Sequence, residues 1–170
     1  MKAAIAVTIS SKAWAKLRGA KSVCERAATA ALDAPAPKGG AKVKGPVEIS
    51  IVLASNKIVR DLNLQFRGID KPTNVLSFPA LGDEPRPTGA PATLGDVVIA
   101  FETTKAEAKR DGKSLKDHLT HLVIHGVLHL RGYDHDRPKD ATKMEALETK
   151  LLATLGVDDP YGDSEWELAS

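Results

Sequence analysis

All five histidines of this 170-residue chain fall between His118 and His135. Three of them, His125, His129 and His135, stand in the run His125-Gly126-Val127-Leu128-His129-Leu130-Arg131-Gly132-Tyr133-Asp134-His135. Residues four apart share one face of an α-helix, a turn apart, so His125 and His129 can grip one metal ion from the same side. Gly132 lets the backbone turn where a residue with a Cβ resists, and the turn returns His135 as a third nitrogen. Three neutral imidazoles with one open position is the usual form of a catalytic zinc site. The feature demands a helix ending near Arg131, a glycine turn, and a metal site in the C-terminal half of the chain.

His-x3-His-x2-Gly-x2-His is also the ligand spacing of the metzincin metallopeptidases. Those enzymes carry Glu directly after the first His, as the base for the attacking water. Here that position is Gly126. Its lack of a side chain argues against peptide hydrolysis. His121 lies four before His125 on the same stripe, with His118 near it. The reach to His135 depends on the interval after the second ligand, which favours His125 and His129 as its partners.

A chain of this length is one domain by default, and 42% hydrophobic residues suffice for one core. The formal net charge of +2 hides an asymmetry. Asp158, Asp159, Asp163, Glu165 and Glu167 crowd an acidic tail, 157–170, that holds no Lys or Arg. Residues 1–156, read as a single hydrolase domain, therefore carry about +7, a bias compatible with a polyanionic partner. The single cysteine, Cys24, excludes an internal disulfide and points to a reducing compartment. It falls in step with Trp14, Leu17, Ala28 and Ala31 on one helical apolar stripe. No signal-peptide pattern follows Lys2, and no run of about 18 apolar residues occurs, so the expected location is the cytoplasm, away from membranes.

In chain order, residues 3–9 form a first strand and Ser11 caps a helix to about Leu32. Residues 34–45, with Lys38, Lys42 and Lys44, form a basic loop, either an elongated hairpin or a helix–strand connection. Val47 to Leu53 suits a central strand. Ser55 or Asn56 caps a helix to about Gln65, and Val75 to Phe78 is a strand. Residues 80–93, with Asp83, Glu84 and Arg86, form a long exposed loop, and Leu94 to Ala100 is a buried strand. A helix runs from Glu102 to about Arg110, where Asp111-Gly112 breaks it. Ser114 with Asp117 gives a capping signal for the histidine helix. The last helix starts near Pro138, carries the seam Met144, Leu147, Leu151 and Leu155, and ends at Gly156. Strands mixed with helices indicate an α+β domain of about five helices.

The histidine run resembles the signature of the YbeY family of bacterial endoribonucleases, the rRNA maturation factors. A second block agrees: Leu62-Asn63-Leu64-Gln65-Phe66-Arg67-Gly68-Ile69-Asp70-Lys71-Pro72-Thr73-Asn74-Val75-Leu76-Ser77-Phe78-Pro79. A third is Leu94-Gly95-Asp96-Val97-Val98-Ile99. The resemblance covers roughly residues 45–156 and implies a mixed sheet of about four strands with helices packed against it. It implies one Zn2+ per chain on His125, His129 and His135, and catalytic roles for His125 and for Arg67, which falls where the family keeps its arginine near the metal. A fixed guanidinium there suits the charge that builds on a pentacoordinate phosphorus. His121 stands behind the ligands or meets an RNA phosphate. Asp134 either orients a ligand imidazole or makes the turn, and Asn74, with Thr73 and Ser77, lines the cleft or makes ordinary strand bonds.

The function so implied is a zinc-dependent, single-strand-specific endoribonuclease in rRNA maturation, at the 3′ end of 16S rRNA, and in ribosome quality control. Its partners would be rRNA and ribosomal particles, with ribosomal proteins and an assembly GTPase. Seven aromatic residues are too few for a base-stacking platform, so RNA contact should run mainly through phosphates. Two alternatives remain: a zinc-dependent peptidase or amidase, and a non-catalytic ribosome-assembly factor with a structural metal.

Overall fold

The centre of the protein is a strand whose two faces differ. In β2 (Val47–Ala54), Val47, Ile49, Ile51 and Leu53 alternate onto one buried face, as the two-residue period of a strand requires. The computed structural model describes residues 3–37, 45–80 and 86–161. Lys38, Lys42 and Lys44 of the basic loop, Asp83 and Glu84, and the tail acids Asp163, Glu165 and Glu167 lie outside the described residues.

β2 pairs in parallel with β1 (Ala3–Ile9) on one side and with β4 (Ala92–Ala100) on the other. β3 (Val75–Pro79) runs antiparallel to β4 at the edge, giving the order β1-β2-β4-β3. The fold is thus the expected α+β domain with a mixed four-stranded sheet. Among the described residues five α-helices accompany it: α1 (Ala20–Asp33), α2 (Asn56–Arg67), α3 (Phe101–Arg110), α4 (Leu115–Leu130) and α5 (Pro138–Thr154). One sheet face, with Ile49, Ile51, Leu53, Val97 and Ile99, shares the large core with α1 and α4, joined by Met144 and Leu152 of α5. The other carries Ala54, Leu76, Val98 and Ala100 in a smaller cluster with Val59 and Leu62 of α2.

The first helix differs from its expected span. A 3-10 turn, Lys12–Lys16, capped by Ser11, precedes α1, and the left-handed Gly19 at φ 73° separates them. Trp14 causes the break. It is fully buried, donates its indole N–H to the Ala54 carbonyl at 2.9 Å, and packs edge-on against Phe101. That anchorage holds residues 12–16 over the end of β2, out of line with Cys24, Ala28 and Ala31, whose small buried side chains let α1 lie against α4. β4 also begins at Ala92 rather than Leu94. Leu94 is the extra residue where the register jumps from Glu48–Thr93 to Ile49–Gly95, a bulge that an apolar pattern does not reveal. Residues 34–37 follow α1, and the expected hairpin or helix–strand connection falls mostly on residues 38–44, outside the described residues. No described helix is long and apolar enough to cross a membrane.

Candidate metal centre

Helix α4 begins as its sequence dictates: the Ser114 hydroxyl accepts the Asp117 backbone N–H at 3.0 Å. It ends in a Schellman turn. Gly132, at φ 98°, donates its N–H to the His129 carbonyl, and Tyr133 donates to that of Leu128. The turn is stitched to the end of α1, where the Arg131 guanidinium donates to the Ala31 and Ala34 carbonyls and the Tyr133 hydroxyl to that of Pro35. His135 is thereby carried back over the last turn of α4.

The three imidazoles converge. Nitrogen atoms of His125, His129 and His135 all lie within 4.8 Å of one another, with His125 Nε2 and His129 Nε2 3.2 Å apart. Two nitrogens bound to one tetrahedral zinc at about 2.0–2.1 Å each would stand about 3.3 Å apart, so the spacing fits such an ion. His125 and His129 are half-buried and His135 is exposed, so the cluster opens to solvent on the His135 side. Burial, then the two neighbouring imidazoles, lowers His129 to about 4, so at neutral pH it is uncharged, as a metal ligand must be. The donor set can therefore hold a divalent cation.

The carboxylate behind the imidazole cluster is Glu148, on α5. It is fully buried, and its Oε1 lies 2.5 Å from His125 Nδ1. A proton on Nδ1 leaves Nε2 facing the other two rings. Burial alone would raise this carboxyl, but hydrogen bonding by His121 and His125 outweighs it and holds the group at about 2. Sequence reasoning missed Glu148, although a signal was present: Met144, Glu148 and Leu152 recur every four residues and all three are buried, so an acid sits in an apolar seam. Asp134 is exposed and accepts the Asp136 backbone N–H at 3.2 Å, a turn bond. His121 Nε2 points to the Tyr161 hydroxyl at 3.2 Å, behind the three converging imidazoles. His118 is 5% exposed, with Nε2 2.9 Å from Glu107 Oε1. Glu107 Oε1 also accepts from the Asn74 side-chain amide at 2.9 Å, while the Asn74 side-chain oxygen accepts the Val75 N–H.

Gly126 has a structural explanation. It faces the sheet, where a Cβ would meet Val97 Cγ1 at 2.6 Å and the Ser77 hydroxyl at 3.3 Å. Its carbonyl accepts from that hydroxyl at 3.1 Å. No carboxylate fits at this position. Arg67 occupies the exposed last turn of α2, followed by the left-handed cap Gly68 at φ 70°. Its helix packs on the sheet face opposite α4, anchored near the β3 edge by Phe66 edge-on to Phe78. Among the described residues Arg67 makes no ion pair.

A mixed α+β domain that gathers three imidazoles at the end of one helix, backed by a buried carboxylate from the next, belongs to the class of folds that could hold a single metal ion with one side open to solvent. Residues 11–156 match the family model described as Endoribonuclease YbeY. The Endoribonuclease YbeY of Paramagnetospirillum magneticum is 54% identical over 162 residues, covering 94% of this chain and 96% of the relative. That of Bradyrhizobium sp. is 48% identical over 165 residues, covering 94% and 92%, and that of Methylocella silvestris 45% over 161 residues, covering 95% and 87%. The chain belongs to the YbeY endoribonuclease family. The solution structure of TM1509 from Thermotoga maritima shares the fold, at a TM-score of 0.51 and 22% identity over 94% of this chain and 99% of that one.

Proposed function

We propose that this protein is a zinc-dependent endoribonuclease that cuts single-stranded RNA in the cytoplasm. Its work would lie in rRNA maturation, at the 3′ end of 16S rRNA, and in ribosome quality control. The observation that carries the reading is the convergence of three imidazole nitrogens within 4.8 Å, in a chain of a family named for endoribonuclease activity. His125, His129 and His135 would hold one zinc ion, which when bound supplies Lewis acidity toward a phosphoryl oxygen.

The chain's own residues do the rest. Glu148 keeps the proton of His125 on Nδ1 and the ring in its plane. The exposed His135 side admits the RNA backbone. Arg67, which makes no ion pair among the described residues, would neutralise charge on the phosphate as it becomes pentacoordinate. The excess of basic over acidic residues in 1–156 favours a polyanion, and ribosomal particles, their proteins and an assembly GTPase are the partners this reading calls for. The zincin-type peptidase reading loses ground, because the position of its base lies against Val97.

The test is cleavage of a single-stranded RNA by highly purified protein, with and without chelator. His129→Ala should lose both metal and cleavage. Arg67→Ala should keep metal and lose cleavage, and normal cleavage by that variant would remove Arg67 from the mechanism. If casein were cut and RNA were not, the reading would be wrong.

A further inference from the structure

Tyr161 lies beyond the residues that the family model spans, in the acidic segment that the sequence assigns to a tail. That segment does not leave the domain at Gly156. Val157 donates its N–H to the Leu152 carbonyl at 2.9 Å and packs against the large core. Asp159 then ties the chain down: its Oδ1 accepts the Thr149 hydroxyl at 3.1 Å and the Tyr161 N–H at 2.8 Å. Tyr161 is thereby laid edge-on against the His121 ring, at 5.6 Å between centroids.

Its hydroxyl donates to Glu148 Oε2 at 2.7 Å and accepts from His121 Nε2 at 3.2 Å. A buried carboxylate stays ionised and fixed in rotamer only where donors meet its lone pairs. Glu148 is fully buried, so it cannot turn to water for them. Its Oε1 faces His125, and the hydroxyl of Tyr161 is the short contact of its Oε2, with His121 Nε2 farther off at 3.6 Å.

We infer that Tyr161 is a positioning residue for the metal centre: its hydroxyl fixes the Glu148 carboxylate, which in turn fixes the ring plane and Nδ1 proton of His125. The inference rests on the proposed metal site and deepens it. It makes metal affinity depend on chain that follows α5.

Tyr161→Phe removes one oxygen and keeps the ring against His121. Zinc affinity of the full chain, measured by competition with a chromophoric chelator, should fall about tenfold, the lower end for loss of a group that orients a metal ligand. Urea unfolding should move to somewhat lower denaturant, because the buried Glu148 Oε2 loses its short donor, while the protein stays folded. The absorption bands of the cobalt-substituted protein should shift, because the geometry at His125 changes. Glu148→Gln should weaken zinc binding as well, and adding Tyr161→Phe to it should cost little more, since both act through one contact. Wild-type and Tyr161→Phe proteins of equal affinity and identical cobalt spectra would overturn this inference alone, as would full additivity of the two substitutions. A wild-type chain that binds no zinc would overturn it together with the proposed function.

Discussion

Gly126 and Val97 touch so closely that a single methyl group cannot be placed between them: a Cβ on Gly126 would stand 2.6 Å from Val97 Cγ1. The residue after the first proposed ligand is thus part of the helix–sheet contact. Gly126→Ala should destabilise the protein by about 1–3 kcal/mol through overpacking. Val97→Ala in the same chain should recover part of that loss, because neighbouring sites couple. Urea unfolding of the two single variants and the double variant checks this. Gly126→Glu should yield poorly folded protein and no peptidase.

His125 and Glu148 form the second relationship with a measurable consequence. Glu148→Ala removes the acceptor of the His125 Nδ1 proton and leaves a hole between α4 and α5. Zinc affinity should fall about 10–100-fold. The 15N shifts of the His125 ring should show the proton no longer confined to Nδ1. An unaltered ring spectrum would mean that Glu148 does not set the tautomer.

How much of this could be read in the sequence depended on whether the contact was local. His125, His129, Gly132 and His135 obey intervals that one helix and one turn impose, so the cluster was visible before any coordinates. Glu148 meets His125 from another helix, 23 residues away, and no spacing rule links them. Its only trace was an acid in an apolar seam. The strands followed from alternation, and the helix starts from Ser55 and Ser114. The break at Gly19 was hidden, because Trp14 and Cys24 fit one helical period until the indole finds the Ala54 carbonyl. Asn74 stood in a recognisable block, but only the structure ties it to Glu107 and His118.

That last network gives a pH dependence. Burial raises the Glu107 carboxyl, but hydrogen bonds from His118 and then Asn74 outweigh it, so it titrates below its ordinary value of 4.5. A carboxyl lowered in the folded state stabilises fully above its unfolded value, and that contribution is lost as pH falls through the folded one. Glu107→Gln should therefore be less stable than wild type by about 1 kcal/mol at pH 7. The gap should close as pH drops below 4.5. Urea titrations at pH 7, 5, 4 and 3 would show it. A gap constant across that range would remove Glu107 from the acid limb.

Cys24 offers a test of the core. Burial first, then the nearby Glu25, pushes its thiol up to about 12, and the side chain is fully buried. At pH 8 the native protein should resist a thiol reagent for as long as it stays folded, because the thiolate is the reactive species. In strong denaturant one thiol per chain should react at once. Rapid native labelling would contradict the packing of α1 against α4.

If His125, His129 and His135 share one ion, each must be needed to bind it. Titration of metal-free protein with zinc by calorimetry, repeated with His125→Ala, His129→Ala and His135→Ala, tests this directly. One ion should bind per wild-type chain, and each substitution should abolish binding or weaken it by orders of magnitude. Undiminished binding in any one variant, or none in the wild type, would contradict the assignment.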